Sequence, residues 1–125
     1  MMNCSVLIVD DSPLLRATIK RAVIQAGVDR AQIREAGNGQ EALDALSAEK
    51  SDLVLLDLNM PVMNGFEFAQ ARAEAPELKD VQVIVVTTEG NKDRLEQLRG
   101  LGVRDFLRKP FEPEDLRELV RDLEN

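Results

Sequence analysis

Val6-Leu7-Ile8-Val9-Asp10-Asp11-Ser12-Pro13 is the stretch whose reading decides the fold. A run of branched apolar residues with no polar alternation describes a strand covered on both faces, as the central strands of parallel sheets are. Two acids end the run. Ser12-Pro13 then offers an N-cap and a first-turn proline, so a helix begins at once. A buried strand feeding a helix through an acidic turn is the opening half of a parallel crossover unit.

Working outward, the same strand type recurs at Leu53 to Leu56 and at Val83 to Val86. Ile33 to Ala36 and Asp105 to Leu107 mix apolar with charged residues, which suits strands with one protected flank. Helical spacing links Leu15, Ile19, Ala22, Val23 and Ala26, then Leu95 and Leu98, then Leu116, Leu119, Val120 and Leu123. Gly27 closes the first helix in a left-handed conformation, and Asn38-Gly39 and Asn64-Gly65 open two more. Five strands alternating with five helices through short connections predict a doubly wound α/β domain, a parallel sheet with helices on both faces. With the second and fifth strands at the edges, the order 2-1-3-4-5, borrowed from the common doubly wound sheets, is the one that fits.

At 125 residues, 44% hydrophobic and 31% charged, residues 1–125 are expected to make one domain, without an effector domain. No apolar run approaches the roughly 20 residues of a membrane-spanning helix, and neither a secretory leader nor a disulfide framework is indicated. The expected compartment is the cytoplasm. Cys4, the one cysteine, reads as a small residue leading into the first strand. A net charge of −7 and a pI near 4.6 oppose binding to nucleic acid, whose phosphates are neutralised by Lys and Arg. The absence of histidine excludes His metal sites and His nucleophiles, so any phosphohistidine belongs to a partner.

Ligands of open α/β sheets bind beyond the carboxyl ends of the strands, near the point where strand order reverses. Asp10 and Asp11 follow the first strand there, Asp57 the third and Lys109 the fifth, while Thr87 closes the fourth. Singly each has an ordinary reading: helix capping for the acid pair, a loop aspartate, a strand-end hydroxyl, a solvated lysine. Together they converge. Three carboxylates within about 5 Å repel by roughly 3 kcal/mol per ionised pair at an effective dielectric of about 20, so a cation is called for. Mg2+ suits such oxygen ligands and keeps positions open to a phosphate. With Lys109 it would stabilise a phosphoryl group in transfer while Asp57, alone at its strand end, attacks.

Val9-Asp10-Asp11-Ser12, Asp57-Leu58-Asn59-Met60-Pro61 through Gly65, Thr87 and Lys109-Pro110-Phe111 resemble, in order and over essentially the whole chain, the response-regulator receiver pattern. Asn59 and Glu89, with Phe106 before Lys109, are most similar to the stand-alone chemotaxis regulators of that flavodoxin-like family. The resemblance implies that Asp57 accepts phosphoryl from a histidine kinase or a histidine phosphotransfer protein. It also implies that Asp10, Asp11, Asp57 and the backbone carbonyl of Asn59 surround Mg2+, that Lys109 and Thr87 bind phosphoryl oxygens, and that Lys109-Pro110 is cis. Thr87 and Phe106 would form the switch, changing the face of the fourth helix, fifth strand and fifth helix toward an output protein. Thr88, Asn59 and Glu89 would set access and turnover. Thr88 stands where a small residue is common, implying slower turnover, and Phe106 replaces a usual tyrosine, removing contacts made through its hydroxyl.

The resulting expectation is a phosphorylation-activated response regulator of a two-component or chemotaxis pathway, monomeric or at most weakly dimeric, promoting only its own phosphorylation and dephosphorylation. A phosphorelay intermediate or phosphate sink is the alternative. A dehalogenase-like Mg2+ phosphatase expects a second Asp two positions after the nucleophile, where this chain has Asn59.

Overall fold

The computed structural model describes residues 4–122. Its elements run β1 (Val6–Val9), α1 (Pro13–Gln25), β2 (Ile33–Ala36), α2 (Gly39–Ala48), β3 (Leu53–Leu56), α3 (Gly65–Ala73), β4 (Gln82–Thr87), α4 (Lys92–Gly100), β5 (Asp105–Arg108) and α5 (Pro113–Asp122). Short 3-10 turns precede β2 and β4. All strand pairs are parallel, in the order β2-β1-β3-β4-β5. Gln82 and Thr87 join β4, and Arg108 joins β5, because pairing with Leu53 and between Thr87 and Arg108 carries the ladder beyond the apolar runs. Of the last helix's periodic positions, Leu123 lies outside the described residues.

Alternation along the strands separates two cores. Val6, Ile8, Leu53, Leu55, Ile84, Val86 and Leu107 face α1 and α5, where Ile19, Val23, Leu116 and Val120 are buried. Leu7, Val9, Val54, Leu56, Val83 and Val85 face α2, α3 and α4, which contribute Ala42, Leu46, Phe68, Ala69 and Leu98. Central strands pack on both faces, which is why their sequences show no alternation. The α4 helix is the most lightly held, burying Leu98 fully and Leu95 in part.

Local chemistry fixes the helix starts above the strand ends. Ser12 accepts the Leu15 N–H, Asn38 that of Glu41 and Asn91 that of Arg94. Asn64 and Glu67 make a reciprocal capping box. Gly27, at φ 108°, ends α1 as expected. No helix among the described residues is long and apolar enough to cross a membrane.

Candidate functional site

Ladder hydrogen bonds hold the strand ends level. The Asp10 N–H donates to the Ala36 carbonyl, the Asp57 N–H to Val9 and the Lys109 N–H to Thr87. Three carboxylates thereby come together: ligand oxygens of Asp10, Asp11 and Asp57 lie within 4.8 Å of one another. Asp10 and Asp57 are buried, at 2% and 7% exposure, while Asp11 is open to solvent. Asp10 Oδ1 accepts the Ser12 N–H at 2.9 Å, and Asp57 Oδ1 accepts the Leu58 N–H at 2.9 Å. Lys109 Nζ bridges the two acids, 3.3 Å from Asp10 Oδ2 and 3.4 Å from Asp57 Oδ1.

Burial raises the Asp57 carboxyl above its ordinary value of 3.8, and neighbouring Asp10 pushes the same way. The Lys109 ammonium opposes both, as does the Leu58 N–H, and burial wins. The one ammonium contacts two of the three clustered acids, and the remaining negative charge suits an added cation. Hard oxygen donors, with Asp11 on the open side, fit Mg2+.

The loop beneath is tightly built. A Cβ on Gly65 would lie 2.4 Å from the Asp57 carbonyl oxygen, so only glycine lets α3 start that close to the acid. The Gly39 N–H donates to the Met63 carbonyl at 2.8 Å, tying α2 to the same loop. Val62, at φ 67° between Pro61 and Met63, forms a γ-turn closed by a 2.7 Å bond from the Met63 N–H to the Pro61 carbonyl. Such a turn is rare for a β-branched residue and costs about 1–3 kcal/mol. Asn59, in the same loop, is exposed.

Thr87 is buried at 1% exposure, and its hydroxyl accepts the Glu89 N–H at 3.0 Å. The structure engages it with its own loop, not with Asp57 or Lys109. Val85 and Phe106 are register partners, and both belong to the core layer beneath α3 and α4. Thr87, two residues beyond Val85, therefore shares a sheet face with Phe106. The Phe106 ring is half-buried, with the Arg99 guanidinium 4.9 Å above its centroid. Thr88 is exposed, Glu89 is paired with Arg94, and the Lys109–Pro110 peptide is cis.

Sequence reasoning passed over two residues here. Arg16 reaches back from α1 to donate to the Asp10 carbonyl and pairs with Glu35 at 3.0 Å. Its signal is one helical turn of spacing to Lys20, which meets the same Glu35. Arg94 gives no such signal, because its partners lie on a loop and on α3.

A model of the response regulator receiver domain matches residues 6–121. The chain belongs to the response regulator receiver family. A chemotaxis protein CheY homolog of Campylobacter jejuni is 37% identical over 118 residues, 94% of this chain and 89% of that protein. Sporulation initiation phosphotransferase F of Bacillus subtilis is 34% identical over 121 residues, 97% of this chain and 94% of that one. Among solved structures, the chemotaxis response regulator CheY4 of Vibrio cholerae superposes with a TM-score of 0.86 at 31% identity, covering 98% of this receiver and 99% of that chain. As a receiver of CheY type, the protein works in phosphorylation-dependent signalling. Its acidic pocket corresponds to the Mg2+ pocket of such domains.

Proposed function

We propose that this receiver accepts a phosphoryl group on Asp57 from the phosphohistidine of a histidine kinase or histidine phosphotransfer protein, and signals by a change on the α4-β5-α5 face. The observation that carries the reading is Asp57 itself, a buried acid flanked by two further carboxylates and contacted by Lys109. In the transfer, an ionised Asp57 oxygen attacks phosphorus, the P–N bond to the donor imidazole breaks, and the imidazole takes a proton from solvent. An aspartyl phosphate results.

Asp10, Asp11, Asp57 and the Asn59 carbonyl would hold Mg2+. When bound, the ion supplies charge that screens the phosphoryl oxygens and orients them. Lys109 would pair with one of those oxygens, and Thr87 would donate to another as it moves inward. Because Thr87 and Phe106 share a face, space vacated by Thr87 opens toward the ring. Thr88 and Asn59, both exposed, and Glu89 stand where they would tune access and phosphoryl lifetime. The domain is a phosphoacceptor switch acting on no other substrate, in the cytoplasm, as a monomer.

A phosphorelay or phosphate-sink role is the second reading. It is favoured by the similarity to a sporulation phosphotransferase and by Phe106, which brings no hydroxyl to the output face. Intact-mass measurement after incubation with acetyl phosphate or a phosphorylated kinase tests the acceptor. The parent gains a phosphate adduct and Asp57→Asn does not; an equal adduct on both refutes the assignment.

A further inference from the structure

The switch hydroxyl is held by a chain of contacts that ends on α3. Glu89, whose N–H donates to Thr87, carries a carboxylate 2.9 Å from Arg94 Nε. The Arg94 guanidinium in turn lies 4.4 Å over the centroid of Phe66, a half-buried ring on α3. Asn91 caps the Arg94 N–H at 3.1 Å, so the first turn of α4 moves with this group. Since α4 buries little else, Thr87, Glu89, Arg94 and Phe66 fasten its N-terminus across α3.

We infer that Arg94 is a positioning residue that holds the resting state: by pairing with Glu89 it keeps the Glu89 N–H on the Thr87 hydroxyl and opposes the approach of Thr87 to a phosphoryl group. The inference rests on the proposed role of Asp57. Its physical content is a competition. Accepting the Glu89 N–H leaves the hydroxyl's own proton available to donate, so the competition is one of position: drawing Thr87 toward a phosphoryl oxygen pulls it away from the Glu89 N–H, against a loop geometry braced by an ion pair in series with a cation–π contact. Ligands that need Thr87 turned inward bind more weakly by the factor that this brace contributes.

The brace is partly solvated, with Arg94 and Glu89 side chains 52% and 24% exposed, so an ordinary surface pair alone would give little. Stacking on Phe66 orders the guanidinium beforehand, and the two contacts together bias the states roughly threefold to tenfold. The sign separates this role from a structural one. A residue that only stabilises the fold would, when removed, leave ligand binding unchanged or weaken it, whereas a brace on the resting state would, when removed, strengthen it.

Titration with beryllofluoride and Mg2+, followed by backbone amide NMR, tests this on the full chain. Arg94→Ala should bind beryllofluoride roughly threefold to tenfold more tightly than the parent. Arg94→Lys, which keeps charge but lacks the planar fork, should fall between. Glu89→Gln, which breaks the pair from the other side and leaves the stacked guanidinium in place, should shift affinity in the same direction, so the test survives a poorly folding Arg94→Ala. In a Thr87→Ala background the Glu89 N–H has no hydroxyl to hold, and Arg94→Ala should add nothing. Unchanged or weaker binding by both Arg94→Ala and Glu89→Gln, or an equal gain without Thr87, overturns the inference. A parent that takes no beryllofluoride overturns the acceptor assignment and this brace together; a parent that takes it, indifferent to Arg94, overturns the brace alone.

Discussion

Replacing Asp57 by Asn should make the metal-free protein more stable at neutral pH, although it removes the group on which function depends. At about 4.8 Å and an effective dielectric of about 20, buried Asp10 repels ionised Asp57 by roughly 3.5 kcal/mol, while Lys109 at 3.4 Å attracts it by roughly 5 kcal/mol. These two charges largely offset each other, and burial of the carboxylate, at a cost of about 1–3 kcal/mol or more, decides the sign. A net gain of about 1–2 kcal/mol follows for the amide, or about 0.5–1 M in the urea midpoint at a slope of about 2 kcal/mol/M.

The pH dependence has a definite sign. The folded carboxyl titrates above its ordinary value of 3.8, so between the two values the native state binds more protons than the unfolded chain. Parent stability at this group is therefore greatest below 3.8, falls as pH rises through that window, and levels off above the raised value. The advantage of Asp57→Asn should be full at neutral pH and fade as pH drops through the same window. Urea unfolding of both proteins in a metal chelator, from neutral pH down to about 4, measures it. Mg2+ should reverse the order at about one hundred times its dissociation constant, where it stabilises the parent by about 2.7 kcal/mol. A mutant less stable than the parent in chelator, or an advantage that does not change with pH, would refute the electrostatic account.

Asp11→Ala should bind Mg2+ at least about tenfold more weakly with little loss of stability, since Asp11 is exposed; a titration matching the parent's would remove it from the metal site. Thr87→Ala should still take phosphoryl on Asp57 but lose the beryllofluoride-induced amide shifts around Phe106, and equal shifts in both proteins would mean the signal takes another route. Gly65→Ala drives a Cβ into the Asp57 carbonyl and should lower stability by about 1–3 kcal/mol, with the β3–α3 loop resonances displaced; an unchanged urea midpoint would show that the close approach is not maintained in solution.

The sheet was readable because its central strands are buried on both faces, and Val6–Val9, Leu53–Leu56 and the apolar middle of β4 could be little else. The edges came from contrast with Ile33–Ala36 and Asp105–Leu107, which mix apolar with charged residues. Much less signal marked α4, whose inward face is only Leu95 and Leu98, because a lightly packed helix needs few apolar residues. At the site, a rule about strand ends reached Asp10, Asp57, Thr87 and Lys109, since topology alone places them. It could not reach the state of the Thr87 hydroxyl, the γ-turn at Val62 or the support that Arg16 gives to Asp10. Each of those depends on where a loop or a long side chain comes to rest, which no periodicity encodes.

These hidden contacts bear on how far the switch can travel. In the resting site Lys109 is shared between Asp10 and Asp57, and the Thr87 hydroxyl accepts the Glu89 N–H, so both groups that would meet a phosphate are already engaged. Phosphoryl uptake therefore exchanges one set of hydrogen bonds for another of similar kind, and the net bias is a small difference between them. A partner with 100-fold preference for the ring-in state of Phe106 supplies about 2.7 kcal/mol, comparable to the burial cost that ionised Asp57 carries. Two terms of that size, one at Asp57 beyond the end of β3 and one at Phe106 on β5, are enough to make a short strand report on an acid it does not touch. The same arithmetic makes the output sensitive to any single packing change along Thr87, Phe106 and α4.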